Sequence, residues 1–268
     1  MGELVFIGLG LYSYSDISLR GLDEVKGADY IFVELYTGLM PEFSIDAFKK
    51  ITGKNLIVVS RRNIEDEGGQ IVLEKAAHGR AVLLVPGDPM IATTHIALRV
   101  KAERMGIKTR IVHGASILSA AMGLSGLQNY RFGKSVTIPF PDGDIISQTP
   151  YNVIAENKMR NLHTLCFLDI RAEESRYMTI KDALEILLRL EDVNKRGFLR
   201  KSELAVGIAR AGAEDPIVKA DSMRDLIDFD FGGPPHILIM PANKLHFMEA
   251  EALITLAKAP KWVMEMVG

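Results

Sequence analysis

Residues 81–95 read AVLLVPGDPMIATTH, and the fold follows from them. A short apolar run closed by Pro86-Gly87-Asp88-Pro89 is the pattern of a buried strand that emerges at the end of a sheet, and the residues from about Thr93 onward read as a helix. Open α/β sheets bind ligands at the carboxyl ends of their strands, so this turn is the first place to look for a site. Gly87 permits a tight turn or a close approach to a ligand, and Pro89 fixes its own φ and removes a donor. Asp88 is left at the mouth of the sheet as an acceptor. By itself, a Gly-Asp-Pro tripeptide also does no more than close a strand.

Upstream, residues 4–7 form an apolar strand followed by Gly8-Leu9-Gly10-Leu11, with Asp16 or Ser18 as cap of a helix to about Lys26. Ser13 stands where a dinucleotide fingerprint needs its third glycine, which counts against a nicotinamide cofactor. Further strands are expected at 30–34, 56–60 and 108–112. Helices are expected at 44–51, 65–78 and 93–105, the second closed by Gly79 in the left-handed conformation and the third by Gly106. Strands alternating with helices imply a mainly parallel sheet covered on both faces.

His113-Gly114-Ala115-Ser116-Ile117 leads from the last of these strands into a helix capped by Ser116, and a capped helix N-terminus suits a carboxylate or hydroxyl ligand. His113 reads either as a general base or as a polar residue at a strand end. Residues 123–133, GLSGLQNYRFG, are rich in turn formers and mark the passage between domains, giving an N-terminal α/β domain over 1–122 and a C-terminal one over 123–268. In the second, strands are expected at 135–139, 164–170, 204–209 and 236–240. Helices are expected at 151–161, 179–191 and 245–257, the middle one amphipathic through Ala183, Ile186, Leu187 and Leu190.

Composition bounds the function. Across 268 residues, 48% hydrophobic and 25% charged, 32 basic side chains nearly balance 34 acidic ones, so no overall basic footprint suggests nucleic acid or an anionic membrane. Cys166 is the single cysteine, excludes an internal disulfide and reads as a small core residue. The N-terminus carries Glu3 before its apolar run and no basic lead, unlike a signal peptide, and no stretch approaches the roughly 18 apolar residues of a membrane span. A cytoplasmic location is expected. His78, His95 and His113 show no metal-ligand spacing, so no metal is expected.

Taken together, Gly8-Leu9-Gly10-Leu11, the run from Gly87 to His95, Ala115-Ser116-Ile117, Phe167-Leu168-Asp169-Ile170, Ala209-Arg210-Ala211-Gly212 and Pro234-Pro235-His236-Ile237-Leu238 resemble, in this order, the diphthine synthases of the tetrapyrrole methylase superfamily. The resemblance spans essentially the whole chain. It departs at Gly233, where an acidic residue is expected before the prolines. The resemblance implies two α/β domains with S-adenosyl-L-methionine in the cleft between them, and a homodimer. It implies repeated methylation of the amino group on a modified histidine of translation elongation factor 2, in diphthamide biosynthesis. Matching positions puts the cofactor contacts on Leu11, Asp88, Ile91, Ser116, Ile117, Leu168, Ala211 and His236. The four aliphatic positions suit the adenine and the methionine chain, and each would equally serve an ordinary core.

Methyl transfer from a sulfonium needs placement more than a nucleophilic side chain. Asp88, His236, Tyr12 and solvent all remain open as proton acceptors, and no catalytic residue is assigned. Arg61, Arg62, Arg131 and Lys134 either line a rim that receives a protein substrate or are plain surface charge. Two other readings are a methyltransferase acting on a corrinoid precursor and a non-enzymatic nucleotide-binding module.

Overall fold

The computed structural model describes residues 2–268 and divides into two compact units. The first runs to Ile117 and takes in Ala172–Ser175; the second comprises Leu118–Arg171 and Arg176–Gly268. The change of unit falls five residues before the expected 122/123 boundary. Gly123, expected to begin the passage, instead lies inside a helix, Ile117–Ser125.

In the first unit, strands β1 (Glu3–Gly8), β2 (Tyr30–Glu34), β3 (Ile57–Val59), β4 (Arg80–Val85) and β5 (Lys108–Val112) form one sheet in the order β3-β2-β4-β1-β5. Every pairing is parallel, as the alternation of elements implies. Helices α1 (Leu19–Lys26) and α2 (Ile45–Thr52) cover one face, where Val25 and Phe48 pack on Val5, Ile7, Val33, Val82 and Leu84. Helices α3 (Gln70–His78) and α4 (His95–Arg104) cover the other, with Leu73, Ala76, Leu98 and Ala102 on Leu4, Phe6, Phe32 and Leu83. Because β1 and β4 send side chains to helices on both faces, they are near-continuous apolar runs rather than alternating ones.

Two helical expectations are corrected here. Helix α3 begins at Gln70, not Glu65, because Gly68 and Gly69 both take positive φ (62° and 68°) and separate it from a wide turn over Arg62–Asp66. Gly79 is extended (φ −165°, ψ −162°), not left-handed. It passes straight into β4, where its carbonyl receives the N–H of Glu3, and a Cβ there would lie 2.8 Å from the Asp29 carboxylate.

The second unit carries α5 (Ile117–Ser125) for nearly all its length, α6 (Thr149–Met159), α7 (Ile180–Asn194), α8 (Met223–Ile227) and α9 (Phe247–Leu256). Its sheet, β11-β10-β12-β7-β6, joins β6 (Val136–Ile138), β7 (Thr164–Leu168), β10 (Leu204–Ala209), β11 (Ile217–Ser222) and β12 (His236–Met240). Only β6 and β7 are parallel. The expected strand at 164–170 breaks at Asp169, after which β8 (Ile170–Arg171) and β9 (Arg176–Tyr177) form a hairpin. Thr179 caps α7 with a reciprocal bond to Asp182, and Ala183, Ile186, Leu187 and Leu190 are all buried, as their spacing requires. Cys166 is buried in this core. Among the described residues no helix is long and apolar enough to cross a membrane.

Candidate functional site

The strand order fixes where a ligand can approach the first sheet. Strand β1 connects through α1 toward β2, while its neighbour β4 connects through α4 toward β5, over the opposite face. Adjacent strands whose connections diverge in this way open a crevice at their carboxyl ends. Gly8-Leu9-Gly10 and Pro86-Gly87-Asp88-Pro89 leave the sheet at that point.

The two turns are bound to each other. Leu9 donates to the Val85 carbonyl at 2.8 Å and Gly87 to the Gly10 carbonyl at 2.6 Å. Gly10 and Gly87 adopt φ of 84° and 68°, a region open to glycine at little cost. A Cβ on Gly8 would stand 2.5 Å from both Gly114 N and Gly87 O, so the backbones after β1, β4 and β5 meet where no side chain fits. On Gly87 a Cβ would meet only the Ala115 carbonyl, at 3.9 Å, which leaves space beside the turn.

Asp88 is 7% exposed. Its Oδ1 accepts the Met90 N–H at 3.0 Å, closing the turn, and its Oδ2 lies 2.7 Å from Nδ1 of His113, a largely exposed side chain. Of the expected contacts in this unit, Leu11 follows the glycine pair of the first turn and Ile91 follows Asp88. Ser116 and Ile117 enter α5 three and four residues after His113. Leu11, Ile91, Ser116 and Ile117 are all half-buried.

In the second unit the sheet gathers the other three. Ala209 pairs with His236 across β10 and β12, and Arg210 N–H reaches the Pro235 carbonyl at 2.8 Å, which sets Ala211 beside the start of β12. The register of β12 on β7, Leu238 to Cys166, carried two residues further puts His236 opposite Leu168. His236 is committed to backbone: Nδ1 accepts the Ile180 N–H at 3.3 Å, and Nε2 lies 3.1 Å from the Gly233 carbonyl. Burial holds its imidazole below the usual pKa, so it is neutral near pH 7. As a proton acceptor His236 is therefore poorly placed, since its one lone pair is already used. The Gly233 carbonyl also receives Arg210, so the loop that departs from the family pattern is tied down by its backbone.

Residue-by-residue reading missed the pairing of His113 with Asp88. It also missed a polar group at the end of β2 formed by buried Glu34, Tyr36 and His95 with half-buried Thr37. A carboxylate closing an apolar strand and a histidine opening a helix 61 positions later were the only signals.

Residues 3–226 match the model of the tetrapyrrole (corrin/porphyrin) methylases. The diphthine synthase of Methanocella arvoryzae is 50% identical over 95% of this chain and 98% of that protein. That of Methanosarcina acetivorans is 48% identical over 98% of each. A crystal structure of a diphthine synthase superimposes with a TM-score of 0.90 at 44% identity, covering 98% of this chain and 99% of the other. Such relatives make the protein a methyltransferase. The chain belongs to the tetrapyrrole methylase family and, within it, to the diphthine synthases.

Proposed function

We propose that the protein transfers methyl groups, in repeated rounds, from S-adenosyl-L-methionine to the amino group of the modified histidine of translation elongation factor 2, a step of diphthamide biosynthesis. The observation that carries this reading is near-50% identity to diphthine synthases over almost the full length of both chains. A corrinoid precursor as acceptor is not favoured, because relatives that similar carry the other activity.

The residues present suit such a cofactor. Gly87 has open space on its Cβ side, and Asp88 presents a buried carboxylate within a turn of fixed shape. S-adenosylmethionine supplies a methyl group already activated on a sulfonium. What the protein must add is orientation and a dry environment. Apolar contact is assigned to Leu11, Ile91, Ile117 and Leu168. Asp88, Ser116 and groups at Ala211 and His236 supply the few polar ones. The attacking amine must be neutral, so each round also releases one proton. The working protein is taken to be a cytoplasmic homodimer.

Mass spectrometry tests this directly. Elongation factor 2 bearing the unmethylated modified histidine, incubated with protein and cofactor, should gain mass in steps of one methyl group. Transfer to a corrinoid precursor with none to the factor would overturn the reading.

A further inference from the structure

At the carboxyl end of β2 lies a polar knot that the Gly-Asp-Pro turn does not use. Glu34, the last residue of the strand, is fully buried. Its Oε2 accepts the N–H groups of Tyr36 and Thr37 at 3.0 and 3.1 Å, and its Oε1 accepts the Thr37 hydroxyl. Oε1 also lies 3.3 Å from Nε2 of His95, the fully buried first residue of α4. A carboxylate accepting on both oxygens favours the tautomer with the ring proton on Nε2, and in that tautomer Nδ1 presents a lone pair.

No group hydrogen-bonds to that Nδ1, and none to the buried hydroxyl of Tyr36, whose ring centroid is 6.3 Å from that of His95. Among the described residues only Arg80 Nε shares this condition, and it stands 3.2 Å from the Glu3 carboxylate, so its charge is met. Buried polar atoms without partners are rare and costly. His163 supplies an internal contrast. It too directs Nε2 at a buried carboxylate, Glu249 at 3.0 Å, but its Nδ1 accepts the Ala242 N–H at 3.0 Å, which makes it a closed structural link. His95 has the same backing, but its buried Nδ1 has no partner.

The knot adjoins the turn. A Cβ on Gly38 would lie 3.0 Å from Cβ of Pro86, and Met90 packs on the core cluster that contains Tyr36. The exposed Arg61 side chain lies over the Tyr36 ring, its guanidinium carbon 5.4 Å from the centroid.

Resting on the function proposed above, we infer that Nδ1 of His95 and the hydroxyl of Tyr36 form the seat of the methyl-accepting amine, with Arg61 as its displaceable cover. The acceptor ammonium gives one proton to Nδ1. The resulting imidazolium is balanced by the Glu34 carboxylate, and the freed nitrogen lone pair forms the new N–C bond as the methyl–sulfur bond breaks with its electron pair left on sulfur. The Tyr36 hydroxyl hydrogen-bonds the acceptor beside its amine. Burial and the charges of Glu34 and Glu65 push this phenol's pKa up, so it stays protonated as a donor. His95 is then a catalytic residue, and Glu34 a positioning residue that fixes its tautomer.

Tyr36→Phe tests the seat, since it removes a hydroxyl that holds nothing in the protein. A purely structural residue would leave melting temperature equal or higher and function intact. The seat instead predicts about tenfold weaker binding of elongation factor 2 bearing the unmethylated histidine to cofactor-free protein, slower methylation, and unchanged affinity for S-adenosylhomocysteine. In nitrogen-15 spectra of the cofactor-free wild type, the His95 Nδ1 resonance should move when that factor is added. Wild-type binding and turnover by Tyr36→Phe, or an unmoved Nδ1 resonance, would overturn the seat alone. A wild-type protein that methylates no elongation factor would overturn the functional reading, and the seat with it.

Discussion

Nδ1 of His113 stands 2.7 Å from Oδ2 of Asp88, although 25 residues separate them and β1 lies between their strands. The bridge passes the carboxyl end of β1, where Gly8 and Gly10 offer no side chains to obstruct it. Asp88 thus has one oxygen holding its own turn closed and the other turned toward the β5 loop.

Asp88→Ala should therefore do two things at once. Loss of the Met90 bond loosens the turn by about 1 kcal/mol, and loss of the carboxylate lowers affinity for S-adenosylhomocysteine about 10- to 100-fold by calorimetry. His113→Ala removes a largely exposed ring and should change stability by no more than about 0.5 kcal/mol. If Asp88→Ala bound the ligand as tightly as wild type, the aspartate would have no place in the site.

The meeting of the three turns gives a sharper structural test. Gly8→Ala and Gly114→Ala each drive a methyl into backbone, 2.5 and 2.4 Å from the Gly87 carbonyl, which cannot retreat without opening the paired turns. Each should cost at least about 2 kcal/mol in urea unfolding. Gly123→Ala, inside α5 with nothing within 4 Å of the new methyl, should instead gain about 0.5–1 kcal/mol.

Much of this architecture is legible in the chain because the central parallel strands carry long apolar runs, LVFI in β1 and AVLLV in β4. Strands β1 and β4 stop at Gly and Pro, and Ser18, Ser44 and Thr179 cap the helices that follow. What stays hidden is made by polar or short elements. Strand β11, IVKADS, lies at the sheet edge, and its Lys219 and Asp221 read as loop. Helix α8 has only five residues. The Asp88–His113 bridge and the Glu34–His95 contact join residues 25 and 61 apart, so only the sheet order reveals them. A buried glutamate is also the residue least expected of a strand end.

Cys166 offers a check on the second core. It has no exposed surface, and burial pushes its thiol pKa well above the ordinary range. An aromatic disulfide reagent should therefore modify it only through opening of the unit. Its rate should rise with urea in step with unfolding followed by circular dichroism, and rapid stoichiometric reaction of the native protein would contradict the packing described.

Glu249 predicts an acid limit to stability. Burial would raise its pKa, but hydrogen bonds from His163 and from the N–H groups of His246 and Gln128 outweigh that and hold it at about 2. Arg131 pairs with the same carboxylate. An ordinary glutamate titrates near 4.3, so the unfolded chain takes up this proton first as pH falls. The stabilisation is whole above about pH 4.5 and is lost as pH drops toward 2, amounting to about 3 kcal/mol across that window. Glu249→Gln should lower the melting temperature at pH 7 and flatten its fall between pH 4.5 and 2, because the group that titrates there is gone. A variant with the wild-type slope would assign the acid sensitivity to other carboxylates.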